Sequence, residues 1–361
     1  MSIKDLDINK RKYSCLFFMM GNNCNLHCTY CKQQEIHCKH PNFIMSDKLI
    51  NRCIEFVKAH KIDSIRFSGG ETLLYWDNVV KVVNRLESEI DYDLKYIIFT
   101  NGKLLDKEKL NFINNHDMLL SVSWDGKNSK ELRGYDVLKD KFKLLLKAKR
   151  LQIISVITNK SYPYRDLLVP IKNFYNLYES IHKYPCHIDN EILINFYNGY
   201  NKDCIDPEEL EKDVDKIIEV SKMYLNGDTD KKVFMDYNCS NYTTSNPAEY
   251  TIYDRACKGP YYIPVYMDTE GNIYDCPSAS NIVNSIYNDN LDEELFKQFT
   301  FDDGRHDELC IDCDIKEICR NGCNIIPLYK GCIHCKTIQI MNKLNIRNEW
   351  NDDNNKNKTF K

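Results

Sequence analysis

Short apolar runs alternate with amphipathic stretches between Tyr13 and about Phe196. The apolar runs have the length and the continuous apolar character of buried strands. They predict strands at Ser14–Met20, Ser64–Ser68, Lys95–Thr100, Met118–Ser123, Gln152–Thr158 and Glu191–Asn195. Apolar residues at helical spacing predict helices at Asp47–His60, Trp76–Ile90, Lys107–Asn115, Tyr135–Lys149 and Asp166–Tyr178. Six such units predict an α/β fold whose parallel sheet is covered by helices, as in a complete or partial barrel.

The composition and the hydrophobic pattern of the sequence divide the chain into four segments. Residues 13–196 are the α/β unit, in which chemistry is expected on loops at the C-terminal ends of the strands. Residues 197–256 are polar apart from one helix-forming stretch, Asp206–Leu225, and are interpreted as a helical bridge or linker. Residues 257–340 are expected to form a cysteine-rich domain, and residues 341–361 a polar tail.

Charge and hydropathy argue against several classes of protein. The 49 basic and 53 acidic side chains give a net charge of -4, and the basic residues are scattered, which argues against a nucleic-acid partner. No apolar run approaches the roughly 18 residues of a membrane span. The polar start, Met1–Arg11, lacks the apolar region of a signal peptide. We therefore expect a cytoplasmic protein without a membrane partner.

The 17 cysteines of the chain indicate metal or cluster ligation, because disulfides are rare in the cytoplasm. Cys24, Cys28 and Cys31 lie at C-x3-C-x2-C spacing directly after the first predicted strand. Three thiolates on one loop can hold three irons of a [4Fe–4S] cluster and leave the fourth iron open to a small molecule. A structural zinc site completed by His27 or a later residue is the alternative.

Polar or glycine-rich segments follow the next three predicted strands. They are Ser68–Glu71, Thr100–Gly102 and Ser123–Gly126, with Arg133 slightly downstream. Each of them alone is explained by a tight turn. Their succession on the edge that carries the cysteine loop indicates a binding site there.

A second group of cysteines begins at residue 257. Within it, Asp268–Gly271 predicts a hairpin turn. The thiols are numerous enough for two clusters or, alternatively, for a pair of zinc sites. They are Cys257, Cys276, Cys310, Cys313, Cys319, Cys323, Cys332 and Cys335.

Three motifs between residues 13 and 195 resemble those of the radical S-adenosylmethionine (SAM) superfamily. They are the cysteine triplet with Tyr30 before its last member, the turn Gly69-Gly70-Glu71 and the segment Thr100-Asn101-Gly102. The resemblance implies a partial (β/α)6 TIM-like barrel, which agrees with the six predicted units. It also implies that Cys24, Cys28 and Cys31 ligate three irons of a [4Fe–4S] cluster and that SAM chelates the fourth.

The same resemblance implies further contacts to SAM. Glu71, with Gly69 and Gly70 before it, would hold the SAM ammonium group, and Ser123 and Arg133 would contact its ribose or carboxylate. In the superfamily, one-electron reduction of SAM yields methionine and a 5′-deoxyadenosyl radical that removes a hydrogen atom from the substrate. The cofactor supplies this chemistry, and the protein supplies position and exclusion of solvent.

The second group of cysteines resembles the SPASM domain that follows the barrel in a subset of this superfamily. The pattern is a cysteine, G-x4-C, C-x2-C-x5-C-x3-C and a final cysteine. The resemblance implies two auxiliary [4Fe–4S] clusters. The outer cluster would be held by Cys310, Cys313, Cys319 and either Cys332 or Cys335. The inner cluster would be held by Cys257, Cys276 and Cys323.

Members with a SPASM domain mostly modify peptides and proteins by crosslinking, epimerisation or oxidation. With no recognition domain expected before the first strand, the chain is similar in size to the sulfatase-maturing group. That group places an acid directly after the cysteine of the G-x4-C element, whereas here Pro277 follows Cys276 and Asp275 precedes it. We therefore expect an oxidoreductase that acts on a ribosomally made precursor peptide.

Two other functions remain open. One is a small-molecule radical SAM dehydrogenase with the same architecture. The other is a non-enzymatic iron–sulfur scaffold or electron carrier, which explains the cysteines but not Gly70–Glu71 and Thr100–Gly102. For the enzyme, the expected partners are a peptide or protein substrate and an electron donor such as a flavodoxin or ferredoxin. The resemblance also leaves room for a separate precursor-recognition protein.

Overall fold

The computed structural model describes residues 12–31, 45–158, 165–182, 189–194, 234–236, 262–274 and 282–292. The described residues fall into two compact units. The first unit holds the first four strands with their helices and the three strands after residue 260. The second unit holds residues 125–128 and the described residues between 154 and 236.

Parallel strands form the centre of the first unit. They are β1 (Lys12–Met19), β2 (Ser64–Ser68), β3 (Lys95–Thr100) and β4 (Leu119–Ser123). The next strand, β5 (Leu151–Ile157), crosses the boundary between the two units. The strands β1 to β4 pair in sequence order, with Phe17 opposite Arg66 and Phe99 opposite Ser121. The predicted parallel sheet is therefore confirmed, and the predicted strand bounds differ from the observed ones by two residues at most.

Three long helices connect the strands of the first unit. They are α1 (Asp47–His60), α2 (Trp76–Glu89) and α3 (Lys107–Asn115). Helix α1 begins at Ser46, whose side chain accepts a hydrogen bond from the amide of Leu49 at 3.1 Å. It ends at Lys61 in the left-handed conformation. The predicted apolar faces of α1 and α2 are buried, including Ile50, Cys53 and Ile54 of α1.

The prediction of one helix over Tyr135–Lys149 is wrong. This part of the chain contains two short helices, α5 (Val137–Asp140) and α6 (Phe142–Leu145), preceded by α4 (Ser129–Arg133). The interruption lies at Lys141, whose backbone leaves the helical region with φ -116° and ψ 12°. Phe142, the first residue after this interruption, is 37% exposed.

A strand from the far end of the chain extends the sheet on the other side of β1. This strand, β8 (Tyr262–Asp268), runs parallel to β1, with Tyr266 opposite Phe17. Strands β9 (Asn272–Tyr274) and β10 (Ile282–Ser285) continue it in antiparallel pairs. The predicted hairpin turn at Asp268–Gly271 is confirmed, because a carboxylate oxygen of Asp268 accepts from the amides of Glu270 and Asn272.

The two faces of the sheet have different character. One face is nearly inaccessible and aromatic, with Phe18, Phe67 and Tyr96 in successive stacked contacts at 6.0 and 6.5 Å between ring centroids. Helices cover this face, since Cys53 of α1 lies 3.7 Å from Met267 of β8. The opposite face carries half-buried side chains such as Phe17 and is therefore the inner face of the sheet.

The described residues of the second unit include one helix and two paired strands. Helix α7 (Arg165–His182) contains Pro170, and β6 (Asp189–Ile194) pairs in parallel with β7 (Phe234–Asp236). Strand β7 lies in the segment interpreted from sequence as a helical bridge, where no strand was predicted. The helix predicted over Asp206–Leu225 lies outside the described residues.

In the described part of the chain, no helix combines the length and the apolar character that crossing a membrane requires.

A buried tyrosine ties the end of the described chain to β1. The hydroxyl of Tyr13 donates to Asp292 Oδ1 at 2.9 Å, and its ring packs against His60 at 4.7 Å between centroids. Burial, together with the neighbouring carboxylate, raises the pKa of Tyr13, so the hydroxyl remains a proton donor across the neutral range.

Tyr13→Phe is expected to lower the free energy of unfolding by about 1 kcal/mol, because one buried hydrogen bond is lost without a cavity. Urea unfolding under anaerobic conditions measures this change. Amide exchange in residues 282–292 should also accelerate, since the hydroxyl holds Asp292. Unchanged exchange in that segment would contradict the anchoring role of Tyr13.

Candidate active site at the C-terminal edge of the sheet

The three clustered cysteines lie on the loop that leaves the C-terminal end of β1. Cys28 is buried, and Cys24 and Cys31 are half-buried. The amide of Cys31 donates to the carbonyl of Cys28 at 3.1 Å, so these two residues share a tight turn. The amide of Thr29 donates to Leu132 of α4 at 2.9 Å and holds the loop against that helix.

The glycine turn after β2 packs directly on the start of the cysteine loop. The amide of Gly70 donates to the carbonyl of Gly21 at 2.8 Å, and the amide of Glu71 donates to that of Asn23 at 2.9 Å. A Cβ atom on Gly70 would lie 2.3 Å from the carbonyl oxygen of Asn23, and one on Gly69 would lie 2.5 Å from that of Gly21. Only glycine fits at these two positions, because the close neighbours are backbone atoms.

Tyr75 fixes the same part of the loop from another side. Its hydroxyl accepts a hydrogen bond from the amide of Asn23 at 3.0 Å. Its ring occupies the space in which a side chain on Gly21 would lie, with a ring carbon 2.1 Å from the ideal Cβ position. Tyr75 was not identified from the sequence, because a tyrosine at the start of a helix is not part of a recognisable motif.

Glu71 lies inside the protein rather than at its surface. The residue is 1% exposed, and its carboxylate accepts three hydrogen bonds. The donors are the amide of Leu73 at 2.9 Å, the hydroxyl of Thr100 at 2.6 Å and the amide of Asn101 at 2.8 Å. Burial raises the pKa of Glu71, and the three donors oppose that shift. The carboxylate therefore joins the ends of β2 and β3.

Asn101 extends this network to the cysteine loop. Its side-chain nitrogen donates to Asn25 Oδ1 at 2.8 Å and lies 3.8 Å from the sulfur of Cys24. Its side-chain oxygen accepts from the amide of Lys103 at 2.9 Å. The Thr100–Gly102 segment was noted in the sequence, but no role for the Asn101 side chain was inferred from it.

Arg133, at the end of α4, lies against the cysteine loop. Its guanidinium nitrogen Nη1 is 3.9 Å from the sulfur of Cys28, and the guanidinium carbon is 5.4 Å from the centroid of the Tyr30 ring. Ser123 is half-buried at the end of β4. The structure thus brings Arg133 together with the cysteines, and it places Ser123 at the same edge of the sheet.

The chemistry of this loop fits an iron–sulfur cluster. Two of its three thiols have nitrogen donors beside them, from Asn101 at Cys24 and from Arg133 at Cys28, and such donors stabilise sulfur ligands of clusters. The side-chain nitrogen of Asn25, which lies between Cys24 and Cys28 in the sequence, is buried and has no hydrogen-bond partner within the described ranges. Burial and then the nearby Glu71 carboxylate raise the pKa of Cys24, and coordination to a metal would deprotonate this thiol.

Among the described residues, no three His, Cys, Asp or Glu side chains stand close enough together to hold a single metal ion. The predicted ligands of the auxiliary clusters lie outside the described residues. They are Cys257, Cys276, Cys310, Cys313, Cys319, Cys323, Cys332 and Cys335.

Residues 12–137 match the family model of the 4Fe-4S single cluster domain. The match contains the cysteine loop, the glycine turn and the Thr100–Gly102 segment. It therefore supports a cluster rather than zinc at Cys24, Cys28 and Cys31.

Two curated proteins are similar to this chain in sequence. The radical SAM cyclopropyl synthase TigE of Paramaledivibacter caminithermalis is 30% identical over 125 residues, which are 30% of this chain and 26% of that protein. This chain thus spans about a quarter of the length of that relative. The cysteine-type anaerobic sulfatase-maturating enzyme of Clostridium novyi is 22% identical over 344 residues, which are 87% of this chain and 88% of that protein.

The fold is similar to that of a solved protein that contains AdoMet. The structure of native anSMEcpe with bound AdoMet and Kp18Cys peptide matches with a TM-score of 0.69 and 18% identity, covering 95% of this chain and 99% of that one. AdoMet is SAM. The fold, the cluster-domain match and the sequence relatives agree with the motifs at this edge of the sheet, and together they indicate the radical SAM superfamily.

Proposed function

We propose that this protein is a radical SAM enzyme that cleaves SAM reductively and removes a hydrogen atom from a peptide or protein substrate. One observation carries the proposal. The cysteine loop is held by hydrogen bonds and glycine contacts to the ends of β2 and β3, so that the thiol of Cys24 lies beside the Glu71–Asn101 network. A non-enzymatic scaffold or electron carrier would not require this second set of residues.

In this proposal, Cys24, Cys28 and Cys31 hold three irons of a [4Fe–4S] cluster, and SAM binds at the fourth. When bound, the cluster supplies one electron to the sulfonium of SAM, which yields methionine and a 5′-deoxyadenosyl radical. The protein supplies the geometry. Asn101 and Arg133 place nitrogen donors at two of the thiols, Cys24 and Cys28.

The residues proposed to contact SAM are those of the same edge. Gly69 and Gly70 bring the backbone close to the loop, and Glu71 is proposed to hold the SAM ammonium group. Because its carboxylate already accepts three hydrogen bonds, Glu71 would act largely by fixing the surrounding backbone. Ser123 and Arg133 are proposed contacts to the ribose or the carboxylate of SAM.

Two auxiliary [4Fe–4S] clusters belong to the same proposal. Cys310, Cys313, Cys319 and either Cys332 or Cys335 would hold the outer one. Cys257, Cys276 and Cys323 would hold the inner one. Their spacing in the sequence and the similarity to the C. novyi enzyme over 87% of this chain support them.

A peptide or protein substrate is supported by the relatives. The C. novyi relative is a sulfatase-maturating enzyme, and the anSMEcpe structure contains a peptide. Crosslinking, epimerisation and oxidation are the proposed classes of modification. A flavodoxin or ferredoxin is the proposed electron donor, and a separate precursor-recognition protein the further partner to be sought.

The proposal is tested by iron and sulfide analysis under anaerobic conditions, combined with an assay for 5′-deoxyadenosine from SAM and a chemical reductant. The parent protein is expected to hold about 12 irons, and the variant with Cys24, Cys28 and Cys31 all changed to alanine about eight. The variant should form no 5′-deoxyadenosine. Cys53→Ala is the matched control, since this thiol is buried between α1 and β8 and should leave the iron content unchanged. A colourless, zinc-loaded parent that leaves SAM intact would refute the proposal.

A further inference from the structure

A positively charged side chain lies on the inner face of the sheet, below the cysteine loop. Arg66 of β2 pairs with Phe17 of β1 on one side and with Ile97 of β3 on the other. It therefore shares the inner face with Phe17, and Tyr266 of β8 lies next in the same row. Arg66 precedes Ser68, the last residue of β2, by two positions, which places it roughly 7 Å below the glycine turn.

The guanidinium of Arg66 is held over an aromatic ring rather than by an acid. Its central carbon is 5.1 Å from the centroid of Phe17, which in turn lies 4.7 Å from Tyr266. Its Nε atom is buried and has no hydrogen-bond partner among the residues that the structure describes. A buried charged donor without a partner is costly, so its retention calls for an explanation.

A second buried polar atom on the same face lacks a partner. Ser121 of β4 is opposite Phe99 of β3, one row nearer the C-terminal edge than Arg66. Ser121 is 1% exposed, and in the described part of the chain its hydroxyl has no hydrogen-bond partner. Two unsatisfied groups that project from one face indicate that a polar ligand completes this face.

The acidic residue that lies nearest to Arg66 in strand register has other hydrogen-bond partners. Asp268 lies on the inner face opposite Met19, one row from Arg66. Its carboxylate already accepts from the hydroxyl of Tyr274 at 2.8 Å and from the side chain of Asn272 at 3.0 Å. The Arg66 guanidinium thus remains available for an anion from outside the described residues.

We propose that Arg66 anchors a carboxylate of the substrate, with Phe17 and Tyr266 as the apolar floor and Ser121 as a second donor. The carboxylate would be the side chain of an Asp or Glu of the peptide, bound by the planar fork of the guanidinium. The assignment of a peptide rests on the proposed function. The carboxylate of SAM has the same chemistry, and the experiment separates the two.

The test uses the full chain with its clusters reconstituted and SAM present. The probes are the capped tripeptides acetyl-Ala-Glu-Ala-amide and acetyl-Ala-Gln-Ala-amide, whose dissociation constants are measured by NMR. The parent is expected to prefer the glutamate peptide about tenfold, and Arg66→Gln is expected to reduce this preference to about twofold or less. Arg85→Gln, which removes an exposed arginine paired with Glu89, should keep the full preference.

Two further measurements make the result decisive. The affinity for SAM should be unchanged in Arg66→Gln, whereas a loss of SAM affinity with no change in peptide preference would assign Arg66 to SAM and overturn the proposal. Equal binding of both tripeptides by the parent would also overturn it. If Arg66→Gln does not fold, Arg66→Lys keeps the charge and should lose only part of the preference. Because peptide binding is measured without turnover, failure of the 5′-deoxyadenosine assay would count against the proposed function and not against this site.

Discussion

Gly70→Ala is expected to cost the protein about four irons and its activity toward SAM, although the substitution adds a single methyl group. The added Cβ would lie 2.3 Å from the carbonyl oxygen of Asn23, a backbone atom that cannot rotate away. Relief requires the loop to move, which breaks the hydrogen bond from Gly70 to Gly21 and displaces the cysteines. We expect a loss of about 1–3 kcal/mol in unfolding free energy. Iron and sulfide analysis with anaerobic urea unfolding measures both effects.

Gly134→Ala is the matched control for this prediction. Gly134 has a φ of +78° but no heavy atom within 4 Å of its ideal Cβ position. The control therefore carries backbone strain without a clash and should lose about 1 kcal/mol while keeping its full iron content. If Gly70→Ala keeps all its iron, the loop has room to retreat, and the fit between the glycine turn and the cysteine loop would not be what positions the thiols.

Glu71→Gln is expected to weaken SAM binding about tenfold or more and to destabilise the fold by about 2–3 kcal/mol. The glutamine side chain lacks the negative charge that accepts the three hydrogen bonds. In addition, its N–H groups would face some of the three donors, and two donors cannot form a hydrogen bond with each other. The substitution should also affect Cys24 through Asn101. The backbone amide of Asn101 donates a hydrogen bond to Glu71, and its side-chain nitrogen lies close to the sulfur of Cys24. Equilibrium binding of SAM to the reconstituted protein and chemical unfolding provide the two values.

Thr100→Val separates positioning from direct contact. It removes one donor to Glu71 and the acceptor of the Gly102 amide, but leaves the carboxylate in place. If Glu71 acts by fixing the backbone, Thr100→Val should weaken SAM binding in the same direction by a smaller factor. SAM binding that is lost in Glu71→Gln and unaffected in Thr100→Val would show instead that the carboxylate contacts SAM itself. Glu55→Gln, at an exposed ion pair on α1, should change neither value.

Local pattern was sufficient to predict most of the α/β unit. The bounds of α1, α3, β2 and β3 are those predicted, because each has clear apolar periodicity and a polar or glycine boundary. The single helix over Tyr135–Lys149 was wrong, since its apolar residues kept helical spacing while the chain bent at Lys141. Strand β8 was not predicted to extend the sheet beside β1, because pairing between residues about 250 positions apart leaves no mark in local periodicity.

The cysteine triplet, the motifs that follow the strands and the order of the strands that bring them to one edge can all be identified from the sequence. The prediction of the fold, the resemblance to the radical SAM superfamily and the expectation of a 4Fe-4S domain follow from these. The spacing of the motifs is sufficient for these predictions because the C-terminal ends of parallel strands lie at the same edge of a sheet.

The contacts between the motifs become visible only in the three-dimensional structure. It shows the glycines of the turn fitted against the backbone of the cysteine loop, Glu71 buried among three donors and Asn101 beside Cys24. It also places Arg66 over Phe17 on the inner face. These relations depend on distances between side chains and on register between strands. Neither these distances nor this register can be derived from a single segment of the sequence.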